Sequence, residues 1–342
     1  MNQSAYPHLI ELKKDAVIQF NEEFFNVALC PDMGARVFAE INGISPHRID
    51  LETVKNPDKP FNNFGGANIW PAPEGGKFGF NYHGNEWYVQ PAINNQPFAV
   101  IEQKSNSATL QKTIKLTNRL GIAIETIMTR KFSLLPNFPE ILKNQPVKCT
   151  LSYETKDIFE VTNPVRVDQA LLAAWTLEQF QATNDTLSFV CVNDARSAIN
   201  FDFYDHPGRR ITYYTKGFTY KTDGQAKGQI GMKKESNASM IGFYDLSRNL
   251  LCIRQKTTPD TGLFFNIADN DQPQGPYSAA DNYSIFNSDP DMAAFELETI
   301  SSAQVEDSLL KGSELTSHTT FAVFKESRDL ENFVSTLLGQ PA

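Results

Sequence analysis

The sequence contains few cysteines and none of the close cysteine pairs that bind metals. Cys30, Cys149, Cys191 and Cys252 lie far apart in a chain of 342 residues. They show neither the short spacings of a zinc site nor the density of a disulfide framework. No Gly-rich phosphate loop and no Ser-centred nucleophile motif is present either. We therefore predict four reduced core cysteines, no metal and no cofactor.

The sequence also lacks basic clusters and long apolar runs. The formal net charge is −9, and no group of Lys and Arg is interleaved with aromatics, which argues against nucleic acid as a partner. No run approaches the roughly 18 apolar residues of a membrane helix. Glu11, Lys13, Lys14 and Asp15 interrupt any signal-peptide core near the start. These absences predict a cytoplasmic protein without membrane contact.

Apolar residues, by contrast, are abundant enough for a large core, with 41% hydrophobic residues and 25 Phe. Short β-rich runs recur between turn residues, a spacing typical of a sandwich or barrel. The predicted strands are 24–29, 34–41, 98–103, 122–133, 148–153, 158–162, 211–214, 240–244, 250–256, 262–267, 293–300 and 319–324. This pattern predicts an all-β fold.

Two stretches have helical spacing. In Asp329–Leu338 five Leu, Phe and Val residues share one face, and Ser327 is a candidate cap. We predict a short C-terminal helix there. Val167–Phe180 has an apolar centre at 170–175 that fits a buried strand or a helix, because periodicity does not separate the two in a short run.

Long turn-rich segments occur at 45–97 and 269–291. Loops of that length in a compact domain are usually functional, so the site is expected near them. No internal repeat and no shift in composition marks a domain boundary. We predict one domain over 1–342, with a core at about 16–325 and the helix at about 327–338.

Three motifs follow one another in a recognisable order. Residues 25–43 read FNVALCPDMGARVFAEING, 64–74 read FGGANIWPAPE, and 295–300 read FELETI, followed by LKGS and TTFAVF. In the first motif, Gly34 permits a turn between strands, and Asn42-Gly43 tolerates positive φ. Together they resemble the galactose mutarotase-like superfamily over roughly residues 24 to 325. The resemblance implies a large antiparallel supersandwich with a saccharide cleft on one sheet, and makes 170–177 a strand.

Glu298 matches the position of that family's catalytic base. A mutarotase opens and recloses a pyranose, which requires an acid near the ring oxygen and a base near the anomeric hydroxyl. Glu296 and Glu298 share one face of a strand because side chains alternate with period two. Like charges so placed raise the pKa of one carboxyl, which suits a general base.

The family's acid is a histidine that follows a Thr-Asn segment. Here Thr162-Asn163 is followed by Pro164, so the expected histidine is missing. A second family histidine lies in a His-Gly segment, which Tyr82-His83-Gly84 resembles, and His83 is therefore the candidate proton donor.

A saccharide site usually combines an aromatic platform with planar polar groups, since a pyranose has an apolar CH face and a rim of hydroxyls. The residues that fit this description are Trp70, Trp87, Trp175, Asn68, Glu74, Arg36, Gln179 and Glu296. Three interpretations follow. One is an aldose 1-epimerase or related sugar isomerase with Glu298 as base. The second is a non-catalytic saccharide-binding module that has lost the acid. The third is a lyase or hydrolase on the same fold, which predicts polysaccharide cleavage and against which the lack of an export signal argues.

Overall fold

The structure, a computed structural model, describes residues 4–136, 138–202, 204, 206–259, 261–265 and 280–341. Strands dominate these residues. In chain order they are β1 (Ile18–Asn21), β2 (Phe25–Cys30), β3 (Arg36–Ile41), β4 (Gly66–Ala72), β5 (Tyr82–His83), β6 (Glu86–Trp87), β7 (Ala99–Gln103), β8 (Ser107–Thr117), β9 (Ala123–Leu134), β10 (Val147–Val161), β11 (Ala173–Gln181), β12 (Thr186–Cys191), β13 (Ile199–Asn200), β14 (Ile211–Tyr214), β15 (Gly217–Lys221), β16 (Gly228–Lys233), β17 (Met240–Asp245), β18 (Leu250–Lys256), β19 (Asp281–Asn287), β20 (Ala294–Ile300), β21 (Gln304–Glu306) and β22 (Leu309–Phe324).

Helices in the described residues are short. They are α1 (Tyr6–Lys13), α2 (Leu51–Lys55), α3 (Pro91–Asn94), α4 (Ala195–Ala198) and α5 (Ser327–Leu338). Single 3₁₀ turns occur at Pro31–Met33, Glu140–Leu142, Gly208–Arg210 and Lys234–Ser236. Within this part of the chain, no helix has the length and apolar character needed to cross a membrane.

Two large antiparallel sheets organise the described strands. The nine-stranded sheet has the order β1-β2-β3-β4-β11-β20-β19-β16-β13. The eleven-stranded sheet has the order β14-β15-β12-β17-β18-β22-β10-β9-β8-β7, with β21 paired to β22. A separate hairpin joins β5 to β6. The predicted all-β antiparallel fold with a C-terminal helix is confirmed.

The main core lies between the two sheets. Strands such as β8 and β9 alternate buried and more exposed residues, so each presents one apolar face inward. Phe180 and Phe295 of the nine-stranded sheet pack on Phe243 of the other sheet, at centroid distances of 4.8 and 5.0 Å. Burying such a side chain contributes roughly 1.5–3 kcal/mol. The alternating pattern therefore accounts for the two-layer arrangement.

Charged side chains also join the layers. Arg130 on β9 donates to both carboxylate oxygens of Asp157, at 2.7 and 2.9 Å. Arg130 Nη1 donates to two main-chain carbonyls of the opposite layer, that of Ala35 just before β3 and that of Ala67 in β4, at 3.0 Å each. Buried charges are tolerated where they are paired and hydrogen-bonded in this way.

A second buried network centres on Glu178 of β11. Its carboxylate accepts from Thr319 at 2.9 Å, contacts His47 at 2.9 Å, and also pairs with Arg254 and Tyr153. Arg254 and Thr319 belong to the eleven-stranded sheet. The face of β11 that carries Glu178 is therefore bound to the eleven-stranded sheet. The opposite face of β11 carries Trp175 and Gln179.

The C-terminal helix packs its apolar face on the outer surface of the eleven-stranded sheet. Leu330, Phe333, Val334 and Leu338 are buried there against a second apolar cluster. The helix begins at Ser327, and the cap position is Glu326, without a side-chain capping bond. The helix prediction is confirmed, but the prediction of Ser327 as the cap is wrong, because Ser327 already has helical geometry.

Several sequence expectations about strands are resolved by the structure. In the ambiguous stretch 167–180, residues 173–180 belong to the strand β11, whereas the resemblance implied a strand at 170–177. Residues 170–172 are not in a strand. The predicted strand 262–267 is not formed over 262–265, where Leu263 makes only an isolated bridge to Ala303; residues 266 and 267 lie outside the described residues. The turn-rich segment 45–97 holds the central strand β4, and the end of segment 269–291 holds β19.

Local expectations for turns and cysteines also hold. Gly34 and Asn42-Gly43 have φ values of 71°, 50° and 75°, in the region where glycine and asparagine are tolerated. They make the turns on either side of β3. All four cysteines are buried with free thiols.

Candidate active site

A cleft lies on the face of the nine-stranded sheet that points away from the other sheet. Trp70 on β4 pairs with Trp175 on β11. Leu177 pairs with Asn68 on one side and with Glu298 on the other. Because side chains alternate along a strand, these residues share the outward face. The central strands therefore supply the floor of the cleft.

The cleft has a volume of about 500 Å³ and combines rings with polar groups. Its aromatic lining consists of Phe61, Trp70, Tyr82, Trp87, Trp175, Tyr204 and Phe286. Its polar lining includes Arg36, Asn63, Asn68, Glu74, Gln179, Lys227, Gln229, Glu296 and Glu298. Larger cavities of about 670 and 660 Å³ occur elsewhere, but their linings lack a convergence of carboxyl groups and tryptophans. The chemistry-bearing side chains thus meet in the smaller cleft.

Glu298 is the most deeply placed acid of this cleft, with 1% of its surface exposed. Trp175 Nε1 donates to its Oε2 at 3.0 Å, and Gln229 Nε2 lies 3.3 Å from both oxygens. Burial, reinforced by the charges of Glu296 and Glu74, raises the pKa of Glu298 well above its usual value. The environment of Glu298 therefore differs strongly from that of an exposed glutamate.

Glu296 lies two residues away on the same face. Gln179 Nε2 donates to its Oε1 at 2.7 Å, and Gln179 Oε1 in turn accepts from Arg48 at 3.1 Å. Burial raises the pKa of Glu296, while the Gln179 hydrogen bond and the charges of Arg48 and Arg36 oppose the increase. The two carboxyls are thus in different environments.

Arg36 is held rigidly at one end of the cleft. It donates to the carbonyls of Gly65 at 2.9 Å and Met33 at 2.7 Å, and to Asn94 Oδ1 at 3.2 Å. Burial lowers the pKa of Arg36 to about 9. Gly65 has a φ of 85°, and a Cβ there would collide with the carbonyl of Arg48. Only glycine fits this close approach, which brings the start of β4 to the cleft.

The aromatic side chains of the cleft pack against one another. The rings of Trp70 and Trp175 pack edge to face with centroids 6.1 Å apart. Phe61 packs edge-on against Trp70 at 5.9 Å and against Trp87 at 5.3 Å. Trp70 Nε1 is buried without a hydrogen-bond partner. Flat apolar surfaces next to carboxylates and amides are suited to a ligand with both an apolar face and hydroxyl groups.

The mouth of the cleft is formed by the β5–β6 hairpin and Glu74. Trp87 Nε1 donates to Glu74 Oε1 at 2.8 Å. His83 lies on the same hairpin with its side chain exposed, and it does not line the cleft. The structure therefore does not bring His83 together with Glu298.

The other nine predicted site residues do share one cleft: Arg36, Asn68, Trp70, Glu74, Trp87, Trp175, Gln179, Glu296 and Glu298. The segment after Asn163, where the family's histidine is expected, does not line the cleft. The Asn163 side chain instead hydrogen-bonds to the main chain of Ala123 at 3.0 Å and of Glu125 at 2.8 Å. No histidine lines the cleft in the described part of the chain. Across the same residues, no group of three or more His, Cys, Asp or Glu side chains is placed to hold a metal.

The sequence prediction missed Gln229, Phe61, Tyr204 and Lys227. Gln229 lies on β16, whose glycines obscured a strand pattern, although the alternation of Gln229 with buried Ile230 is a usable signal. The other three lie in irregular segments, where periodicity carries no information about orientation.

Fold and cleft together define an all-β protein of two antiparallel sheets with an acidic, tryptophan-lined cleft on one of them. A family model described as a family of unknown function, DUF6786, matches residues 5–341. The protein belongs to this family.

Two solved structures are similar to this chain over most of its length. One is a galactose mutarotase-like protein from Lactobacillus casei, with 12% identity, a TM-score of 0.46, and coverage of 90% of this chain and 99% of that one. Another is a galactose mutarotase related enzyme from Lactobacillus acidophilus, with 11% identity, a TM-score of 0.48, and coverage of 91% and 99%. No curated protein matches the sequence.

Proposed function

We propose that this protein binds a saccharide in the cleft on the nine-stranded sheet. The observation that carries the proposal is the adjacency of Trp70 and Trp175 to Glu298 and Glu296 on one outward face. The CH face of a pyranose contacts those parts of the two indoles that reach the cleft. Its hydroxyls donate to the carboxyl oxygens and to the Gln179 amide, which also donates in return.

A second candidate function is aldose 1-epimerase activity, and Glu298 is the observation that favours it. A buried carboxyl group with a raised pKa suits a general base. It would take the proton of the anomeric hydroxyl while an acid protonates the ring oxygen. Binding without turnover is favoured by the cleft's lining, which has no histidine in the described residues. One hydrogen-bond donor beside Glu298 is the indole N–H of Trp175. Because this N–H does not titrate near neutral pH, it does not serve as the missing acid.

The binding proposal is tested by calorimetry with a panel of aldoses, including glucose, galactose and mannose, on the intact protein. We expect saturable binding of at least one sugar, and Glu298→Gln, which replaces one carboxyl oxygen with an amide donor, to weaken it by about tenfold, the effect of one lost hydrogen bond. Glu160→Gln, an exposed glutamate on β10 of the other sheet, is the matched control. Absence of binding to every sugar contradicts the proposal.

The catalytic candidate is tested separately by exchange NMR between α and β anomers of the sugar that binds. Epimerase activity predicts interconversion faster than in buffer, and loss of the increase in Glu298→Gln. Rates equal to buffer with binding retained identify a non-catalytic saccharide-binding protein.

A further inference from the structure

Trp87 is a fixed and partly exposed aromatic side chain at the mouth of the cleft. It lies on β6, lines the cleft, and has 43% of its surface exposed. Trp70 and Trp175 on the floor are only 4% and 2% exposed. The three indoles therefore occupy two depths of one cleft.

The Trp87 ring is held in place on two sides. Its Nε1 donates to Glu74 Oε1 at 2.8 Å, and Phe61 packs edge-on against it at 5.3 Å. Phe61 also contacts Trp70 at 5.9 Å, so it separates the inner indole from the outer one. A ring already immobilised loses little conformational entropy when a ligand stacks on it.

We propose that Trp87 forms an outer subsite that stacks a second sugar ring, so that the ligand is a disaccharide or a longer glycoside. This inference rests on the proposed saccharide binding. One ring occupies the floor beside Trp70, Trp175 and Glu298. The next ring covers the outer indole.

Glu74 is the polar side chain at this outer subsite. It lines the cleft, and its Oε1 accepts from Trp87 Nε1. A hydroxylated ring that stacks on Trp87 therefore lies beside a carboxyl group as well as an indole.

Tyr88 provides a matched control on the same hairpin. It is 39% exposed, close to the exposure of Trp87, but it does not line the cleft. Its main-chain N–H donates to Asn81 at 2.8 Å. Removing Tyr88 thus removes an exposed aromatic side chain of this hairpin without touching the cleft.

The experiment is calorimetric titration of the intact protein, Trp87→Ala, Trp87→Phe and Tyr88→Ala with matched pairs of sugars. Glucose is compared with maltose and cellobiose, and galactose with lactose. We expect a disaccharide to bind the native protein about tenfold more tightly than its monosaccharide, and Trp87→Ala to remove this gain, as is common for tryptophan contacts. Trp87→Phe should keep part of the gain, and Tyr88→Ala all of it.

Retained monosaccharide affinity in Trp87→Ala shows that the variant is folded and that the inner site is intact. Equal affinity of the native protein for every monosaccharide and disaccharide pair overturns the outer subsite, and so does an equal loss for both in Trp87→Ala. A protein that binds no sugar of either size overturns the proposed function as well, so the two failures are distinguishable.

Discussion

Asp281, the first residue of β19, is a buried carboxyl group with an incomplete set of hydrogen bonds. It is 1% exposed; Oδ2 accepts from Asn200 at 3.1 Å, and Oδ1 has no partner. Burial raises the pKa of Asp281 to about 8, helped by the charges of Asp202 and Glu235 and opposed by the Asn200 bond and Lys233. The folded protein therefore holds this carboxyl in its neutral form at neutral pH.

This raised pKa predicts the sign of a pH effect on stability. From the usual value of 3.8 up to about 8, the folded protein binds more protons at Asp281 than the unfolded chain does. The stabilisation is complete below the lower value and is lost as pH rises through the upper one. Asp281→Asn, which keeps a neutral group of the same shape, should be more stable than the native protein at about pH 9, by about 1.4 kcal/mol per pKa unit at most.

Urea unfolding of both proteins between about pH 4 and pH 9 measures the effect. The advantage of the variant should shrink towards zero at the acidic end. An advantage that is the same at every pH would mean that Asp281 titrates normally in the folded state.

Helix α5 shows how a single element is attached to the sandwich. Leu330 is fully buried in the apolar cluster between α5 and the eleven-stranded sheet, whereas Leu337 on the same helix is only partly buried. Since the helix makes no side-chain cap at Glu326, its packed face has to supply most of its stability.

We expect Leu330→Ala to lower the free energy of unfolding by about 2–5 kcal/mol, because the substitution leaves a cavity in a packed core. Leu337→Ala should cost clearly less, since part of that side chain already faces solvent. Thermal and urea melts of the two variants make the comparison. Equal costs would indicate that α5 frays before the sheets unfold.

The two sheets are bound to each other by charge as well as by apolar packing. The Glu178 network links β11 to Arg254 and Thr319 of the opposite sheet, and Arg130 reaches the main chain beside β3 and β4. Loss of one sheet would leave these buried charges unpaired, which is strongly unfavourable. We therefore expect the described layers to unfold as one unit, which is also what the predicted single domain requires.

Unfolding followed by two probes tests this cooperativity. Two of the three tryptophans, Trp70 and Trp175, lie on the nine-stranded sheet, whereas far-UV circular dichroism reports both sheets. Fluorescence and dichroism should give coincident urea transitions. Glu178→Gln should move both midpoints down together, at a cost of about 3–5 kcal/mol for the unpaired Arg254. A fluorescence transition that precedes the dichroism change would refute a single unit.

Local patterns were sufficient for part of the fold. Runs of β-forming residues between turns predicted β9, β17 and β18, and the spacing of Leu and Phe predicted α5, which buries one face. The strand β4 was missed because Gly and Pro residues, which are typical of turns, surround and interrupt it. Gly66–Ala72 is buried at every position and contains Pro71, so it has no period of two and reads as a turn-rich segment.

The candidate site, too, could be predicted only in part from the sequence. Alternation along one strand was enough to place Glu296 and Glu298 on a common face. The contacts of Glu298 with Gln229 and of Glu74 with Trp87 join residues that are 69 and 13 positions apart, and no local period encodes them. The exposed position of His83 likewise depends on where the β5–β6 hairpin packs.

The sequence alone determined the all-β class and the shared face of the two carboxyls, because both follow from local periodicity. The depth of each indole, the raised pKa of Glu298 and the membership of the cleft depend on non-local packing, which only the tertiary structure decides.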